Sequence, residues 1–243
     1  MLDELSIING YDVLILDRYN NFLEFCSSFS SLDSPEVLKL FNIANLKYLI
    51  LPQSMCMQSP NLSLVYEGKK TRIWENTEYL PRAYIVHRAR VIRDNAEVVL
   101  SSMLDDDFEP FNTVILEEDV PVETSLQSAV GVGDEAVSFL KYAHNEVIIQ
   151  AKLKQDGYLI LSDANYPGWR ANVLDIATGQ RRDVDILYAN YIFRGIPLRK
   201  GDYIVHFLFK PVSFYAGRII TILTIIIVII GLMFGYRRKR ITK

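Results

Sequence analysis

The sequence predicts an α+β fold followed by one transmembrane helix. Apolar residues recur at helical spacing near the N-terminus, alternate with polar residues in much of the second half, and form a long run near the C-terminus. These patterns divide the chain into a small N-terminal α/β subdomain at residues 1–116, a linker at 117–135, a C-terminal antiparallel β-sandwich at 136–212, a transmembrane helix at 213–236 and a basic tail at 237–243.

Two helices and several short strands are expected in the first subdomain. Apolar residues at helical spacing predict a helix over residues 11–25, after a turn at Asn9-Gly10. Ser34 followed by Pro35 is typical of the cap and first position of a second helix. Strands are expected at 47–51, 62–66, 71–75, 83–90 and 113–116, with a helical or mixed segment at 95–104.

The sandwich is predicted from alternation and turn signals. Val147, Ile149, Ala151 and Leu153 alternate with polar residues, which is the pattern of a half-buried strand. A central strand is expected at 158–162 and a type II turn at Pro167-Gly168. The remaining strands are expected at 169–175, 184–187, 191–197 and 203–210, with turns at 178–180 and 200–202.

The apolar run near the C-terminus predicts both a membrane span and its orientation. About twenty apolar residues are enough to cross the hydrocarbon core of a bilayer. Five basic residues follow the run, and such flanks stay on the cytoplasmic side. The cell membrane is therefore the expected location, with the bulk of the chain extracytoplasmic and the C-terminus cytoplasmic. These basic residues are Arg237, Arg238, Lys239, Arg240 and Lys243.

The N-terminal residues carry no signal-peptide pattern, because they lack a basic start and a long apolar stretch. We therefore expect the chain to be the C-terminal part of a larger multispanning protein, either as a fragment or as the product of a split gene. The alternative is a tail-anchored protein with a cytoplasmic domain, which the charge bias disfavours.

Composition excludes some classes of function. Five of the 26 Lys and Arg residues lie in the tail, which leaves 21 against 29 acidic residues in the rest of the chain. A nucleic-acid-binding domain usually shows a basic patch, so no nucleic-acid partner is expected. Cys26 and Cys56 have no metal-ligand spacing. They form one disulfide, or Cys26 is a buried free thiol in its apolar context.

The sequence contains one acidic motif and three histidines that could be considered as metal ligands, and a structural role is favoured for both. Asp105-Asp106-Asp107 contains the spacing of a metal-binding motif in nucleotide-sugar transferases, but a solvated acidic loop is favoured. His87, His144 and His206 are far apart in sequence and share no ligand spacing. Neither a catalytic residue, a metal site nor a cofactor is expected in this chain.

Several phrases, in order along most of the chain, resemble the C-terminal external region and last membrane helix of YfhO-type multispanning membrane proteins. The strongest phrase surrounds Asn165-Tyr166-Pro167-Gly168-Trp169-Arg170. That family is similar to the GT-C class of lipid-sugar-dependent glycosyltransferases. The phrases lie at 9–12, 18–19, 40–50, 80–84, 107–110, 114–117, 161–171, 189–197 and 210–214.

The resemblance implies a non-catalytic external domain that caps or binds substrate for lipid-linked sugar transfer in cell-envelope glycan assembly. The expected partners are the membrane lipid bilayer, the upstream transmembrane portion of the same or an adjacent protein, and a lipid-linked sugar or glycan. In GT-C enzymes the catalytic acid lies between early membrane helices, outside this segment. The alternative function is a membrane-anchored interaction module with no link to sugar transfer.

Candidate substrate-binding residues surround the Pro-Gly turn. Flat aromatic rings beside polar and charged groups are typical of a sugar-binding platform, although packing of Trp169 between the sheets is the favoured explanation for the aromatic residues. Arg170 and Arg194 are expected on neighbouring strands, where they contact a phosphate or a lipid headgroup. The candidates are Asp163, Tyr166, Trp169, Arg170, Asn190 and Arg194.

Overall fold

The computed structural model describes residues 16–118 and 135–241, with side chains as far as residue 231. It confirms an α+β fold with one apolar C-terminal helix. The elements in order are α1 Asp17–Ser27, α2 Pro35–Ile43, β1 Tyr48–Pro52, β2 Leu62–Glu67, β3 Thr71–Asn76, β4 Ala83–Val86, β5 Arg88–Val91, α3 Ala96–Ser102, β6 Thr113–Leu116, β7 Ala136–Ala143, β8 Glu146–Leu153, β9 Gly157–Leu161, β10 Trp169–Asp175, β11 Arg181–Val184, β12 Leu187–Ala189, β13 Phe193–Leu198, β14 Gly201–Phe209 and α4 Val212–Ile241.

The helix starts follow the expected capping chemistry. The Ser34 hydroxyl accepts a hydrogen bond from the Val37 amide at 3.4 Å, and Pro35 is the first helical residue of α2. The Asn95 side chain caps α3 in the same way, through the Val98 amide at 3.1 Å. Helix α1 confirms the later part of the helix expected at 11–25, while the Asn9-Gly10 turn lies outside the described residues.

Two of the three sheets are wholly antiparallel. The small sheet has the order β1-β3-β2 and contains the expected hairpin of β2 and β3. The five-stranded sheet has the order β11-β10-β14-β8-β7. In β8 the predicted apolar positions Val147, Ile149, Ala151 and Leu153 are all buried, which confirms the alternation.

The third sheet has six strands in the order β4-β9-β13-β12-β6-β5. The single strand expected at 83–90 is wrong, because β4 and β5 are separated at His87 and occupy opposite ends of this order. The bend depends on Gly157, where a Cβ would lie 2.6 Å from the Val86 carbonyl oxygen and 2.7 Å from His87 Nδ1. Because the two end strands are joined at His87, the sheet curls back on itself.

The six-stranded sheet separates two hydrophobic cores. Strand β9 is buried throughout, and it confirms the expected central strand. Its Leu159 and Leu161 face the five-stranded sheet, whereas Tyr158 and Ile160 face the helices and the small sheet. Strands from both sides of residues 117–135 share this sheet, so hydrogen bonding does not stop at the expected linker. Most of that linker, residues 119–134, lies outside the described part of the chain.

Helix α4 follows the last strand almost directly. Strand β14 ends at Phe209, and only Lys210 and Pro211 precede the helix. Residues Val212–Gly231 are long and apolar enough to cross a membrane, and none of this stretch is buried against the rest of the protein. One end of the sandwich therefore lies within a few residues of the span.

Candidate functional site

A tight turn lies at the end of the sandwich next to α4. The Trp169 amide donates to the Tyr166 carbonyl at 3.3 Å, and Gly168 has φ of +114°, as expected for the turn at Pro167-Gly168. The Lys210 amide donates to the Gly168 carbonyl at 2.7 Å. A Cβ at Gly168 would lie 3.0 Å from Phe209 Cε2 and Pro211 Cα. The turn is thus packed closely against the junction between β14 and α4.

The buried guanidinium of Arg194 lies above the ring of Trp169. Its Cζ is 3.7 Å from the ring centroid, and only 4% of the residue is exposed. Nε and Nη2 donate to the Ala164 carbonyl at 3.1 and 2.9 Å. Burial lowers the pKa of Arg194 to about 10, while the negative charge of Asp163 opposes the shift. Arg194 is therefore a cation at neutral pH, and its Nη1 has no hydrogen-bond partner.

Asp163 lies between two arginines. Arg82 donates to Asp163 Oδ1 through Nε at 3.0 Å and Nη2 at 2.7 Å, and Arg194 Nη1 is 4.0 Å from Oδ2. The Tyr142 hydroxyl donates to Oδ1 at 3.1 Å. Burial and then the charge of Asp163 raise the pKa of Tyr142 to about 12, so the hydroxyl stays a donor. With one carboxylate and two guanidiniums, the cluster carries a net positive charge.

Four of the six candidate residues meet at this end of the sandwich. They are Asp163, Tyr166, Trp169 and Arg194. Trp169 packs against Arg194 and, with centroids 5.4 Å apart, against Phe209. Its contacts therefore match packing between the sheets better than an open stacking platform. Tyr166 is the ring that remains accessible, since 44% of the residue is exposed.

Arg170 and Arg194 do not lie on neighbouring strands, and that expectation is wrong. Arg170 belongs to β10 of the five-stranded sheet, and Arg194 belongs to β13 of the six-stranded sheet. Arg170 is exposed beside the buried Ala171, whereas Arg194 points between the sheets. Alternation along β10 explains the exposure of Arg170, because successive side chains of a strand face opposite sides of the sheet.

Asn190 has a structural role apart from the Trp169 cluster. It is completely buried. Its side-chain Oδ1 accepts a hydrogen bond from the Ile115 backbone amide at 2.9 Å, and its backbone amide donates to the Ile115 carbonyl at 2.8 Å. Its φ of +46° and the φ of +72° at Tyr191 make a sharp turn between β12 and β13. Arg18 stacks on Tyr188 and Tyr191 and donates to the Tyr191 carbonyl. The Asn190 side-chain nitrogen donates to the Tyr84 hydroxyl at 3.4 Å, so both polar atoms of this side chain bond within the protein.

A groove of about 920 Å³ starts beside the same end of the sandwich. Strand β11 pairs only with residues 171–174 of β10, so the edge of β10 at Trp169 and Arg170 is left open. Asn172 is among the lining residues, but its side-chain oxygen is buried and has no hydrogen-bond partner. The charged lining residues are the cations Arg170, Arg182, Arg199 and Lys210 and the anions Glu118, Asp183 and Asp185.

The acidic motif at 105–107 is occupied by protein cations. Arg90 pairs with Asp105 at 2.7 Å and with Asp107 at 2.8 Å. The hydrogen bond from Arg90 lowers the pKa of Asp107. In the described ranges, no group of three or more His, Cys, Asp or Glu side chains is placed to hold a metal ion. The geometry matches the solvated acidic loop.

The two cysteines are free thiols. Cys26 is buried, and burial raises its pKa to about 12. Cys56 is exposed, and its Sγ accepts a hydrogen bond from Arg72 Nη1 at 2.8 Å. The free-thiol alternative for Cys26 is therefore confirmed.

Sequence patterns alone did not predict several residues of this region. Arg82 and Tyr142 complete the Asp163 cluster, and Phe209 and Lys210 link it to α4. Arg82 lies inside one of the family-like phrases, which is the only signal that singled it out. Tyr142 had no local signal, because its contact with Asp163 depends on how β7 lies at the sheet edge.

No protein-family model, curated protein or solved structure matches this chain. The resemblance to YfhO-type proteins therefore stays a prediction.

Proposed function

We propose that this protein is a membrane-anchored, non-catalytic binding domain that holds the polar part of a lipid-linked sugar at the bilayer surface. The position of the groove carries the proposal. Lys210 lines it and is two residues from Val212, where the apolar span begins. A ligand with its lipid tail in the bilayer reaches such a groove without leaving the membrane.

The charges of the groove suit a sugar phosphate. Arginine binds phosphate oxygens through paired donors, and Arg170 and Arg182 both line the groove. Asp183 and Asp185 add acceptors for sugar hydroxyl groups. The mixture of cations and carboxylates is suited to a ligand that carries both a phosphate and hydroxyl groups, rather than to a simple anion.

In this proposal the sandwich lies outside the cytoplasm. The five basic residues after the span support that orientation. The proposed partners are the bilayer and the upstream transmembrane portion of the same or an adjacent protein. The domain caps that portion and binds substrate during cell-envelope glycan assembly, while the chemistry takes place elsewhere.

Binding by the full chain in lipid nanodiscs tests the proposal. The probe is a polyisoprenyl phosphate carrying a sugar, compared with the same lipid without the sugar. We expect the double variant Arg170→Ala/Arg182→Ala to weaken binding about tenfold, equivalent to about 1.4 kcal/mol. Arg181→Ala is the matched control, because Arg181 is exposed on β11 but does not line the groove. No binding by the unaltered chain, or equal losses in both variants, would contradict the proposal.

A second candidate is a membrane-anchored interaction module. An apolar row crosses the small sheet, where Ile73 lies directly opposite both Ile50 and Tyr66. Ile50 is 69% exposed and Tyr66 is 55% exposed. Contiguous apolar surface of this kind often marks a protein contact. Loss of partner cross-linking in Ile50→Lys, with sugar-lipid binding absent from the unaltered chain, would favour this candidate.

A further inference from the structure

We propose that the turn at Tyr166, Pro167 and Gly168, here named the docking turn, is a second membrane contact that seats the sandwich on phospholipid headgroups. This contact would exist with or without a sugar ligand, so it shares with the proposed function only the membrane span of α4. Its partner is the bilayer interface itself. The inference rests on the position of the turn, its exposed aromatic ring and the cations beside it.

The position of the docking turn is set by the end of the last strand. The Gly168 carbonyl accepts from the Lys210 amide at 2.7 Å, directly before the apolar span that begins at Val212. Three residues of extended chain reach at most about 11 Å, which bounds the separation between Phe209 and Val212. The turn therefore lies near the depth at which the helix enters the bilayer.

The exposed chemistry of the turn matches the bilayer interface. Tyrosine and tryptophan concentrate at headgroup level, because one part of the ring system is apolar and the other accepts water. Tyr166 and Pro167 are exposed, and the Tyr166 ring packs edge-on against Phe209 with centroids 6.1 Å apart. Phe214 and Tyr215 continue the aromatic surface on the first turn of α4.

Cations beside the turn are placed for lipid phosphates. Arg170 and Lys210 are both exposed, and each is within a few residues of the turn or the span. Long basic side chains can keep their stems against apolar surface while their charges reach the headgroups. Basic side chains are attracted to an anionic membrane surface when they lie within a Debye length of it.

The turn is also rigid enough to transmit a contact to the whole sandwich. It packs on Phe209, Phe209 packs on Trp169, and Trp169 packs on the buried Arg194. Two contacts with the bilayer, the helix and the turn, restrict the tilt of the sandwich far more than a helix alone. The groove that starts at Lys210 then opens at a fixed height above the headgroups.

Spin labels on the full chain in nanodiscs test this inference. The background is Cys56→Ser, which leaves the buried Cys26 as the only native thiol. Labels at Tyr166→Cys and Ile176→Cys are compared, because both positions are 44% exposed in the native chain. They lie at opposite ends of β10, and seven strand residues span about 23 Å.

We expect the label at position 166 to be more accessible to oxygen than to a water-soluble nickel chelate, and the label at 176 to show the reverse. Equal preference for the nickel chelate at both positions would overturn the inference.

A second measurement needs no label at position 166, because it uses the fluorescence of Trp169. In Trp74→Phe, Trp169 is the remaining tryptophan, and its fluorescence is measured with headgroup-labelled quencher lipids. Quenching should fall by about half when Tyr166→Asp is added, because the carboxylate disfavours contact with the interface. Quenching that is absent, or unchanged by Tyr166→Asp, would overturn the inference.

Discussion

Arg194 and Trp169 connect the two sheets of the sandwich at the end next to α4. Arg194 extends from β13 of the six-stranded sheet, and Trp169 lies on β10 of the five-stranded sheet. The guanidinium loses solvent in this position, which disfavours its charge. Two hydrogen bonds to the Ala164 carbonyl and the nearby Asp163 carboxylate offset the loss.

Arg194→Lys should lower the free energy of unfolding by about 2 kcal/mol, because lysine can neither stack flat on Trp169 nor reproduce the paired donors to Ala164. Urea unfolding of the full chain in detergent, followed by near-ultraviolet circular dichroism, measures the change. Arg170→Lys is the control and should change stability by less than about 0.5 kcal/mol, because Arg170 is exposed. Similar losses in both variants would argue against a structural role specific to Arg194.

Gly168→Ala should destabilise the protein more than Gly179→Ala. Both glycines have positive φ, +114° and +69°, so alanine is strained at either position. Gly179 has nothing within 4 Å of an added Cβ, whereas Gly168 faces Phe209 and Pro211 at 3.0 Å. We expect losses of about 1 kcal/mol at Gly179 and about 2 kcal/mol or more at Gly168, measured by the same unfolding assay. Equal losses would mean that the turn can move away from α4.

Asn190→Ala should lower the free energy of unfolding by about 2 kcal/mol. The variant leaves the buried Ile115 amide without its acceptor and places alanine at φ of +46°. Thermal unfolding compares it with Asn112→Ala, where the asparagine is exposed and bonds only Glu109 through its side chain. A change at Asn190 no larger than at Asn112 would contradict the structural role assigned to Asn190.

Stability should depend on acid pH through Glu146. Its hydrogen bond with Lys141, followed by its contact with His206, lowers the pKa of Glu146 below the ordinary value of 4.5. A carboxylate with a lowered pKa stabilises the folded state above its unfolded pKa, and this contribution is lost as pH falls through the folded pKa.

Glu146→Gln should therefore lower the urea midpoint at pH 7, and the difference from the unaltered chain should shrink as pH falls below 4.5. Lys141→Met removes the largest cause of the shift and should weaken this pH dependence. A constant difference between pH 7 and pH 3 would show that Glu146 acts without its charge.

Local patterns predicted the parts of the fold that depend on nearby residues. Ser34 caps α2 and the alternation in β8 faces the core as expected, because capping and strand periodicity are local properties. The bend at His87 was missed, because it depends on a close approach by Gly157, distant in sequence.

The candidate site was predicted only in part, because some of its contacts are local and others join residues distant in sequence. The turn from Tyr166 to Trp169 depends on local residues, and the structure confirms it. Alternation alone cannot tell which of two sheets a strand joins, so Arg170 and Arg194 were expected side by side. Arg82 and Tyr142 reach Asp163 only through the tertiary fold.

Thiol labelling can determine on which side of the membrane the sandwich lies. Cys56 is exposed and Cys26 is buried, so the native chain carries its own accessible reporter. In intact cells that naturally produce the protein, a membrane-impermeant maleimide should label Cys56. A reporter at Lys243→Cys, in a Cys56→Ser background, should react only after the membrane is permeabilised. Labelling at position 243 but not at Cys56 in intact cells would mean that the sandwich lies in the cytoplasm, contrary to the proposed orientation.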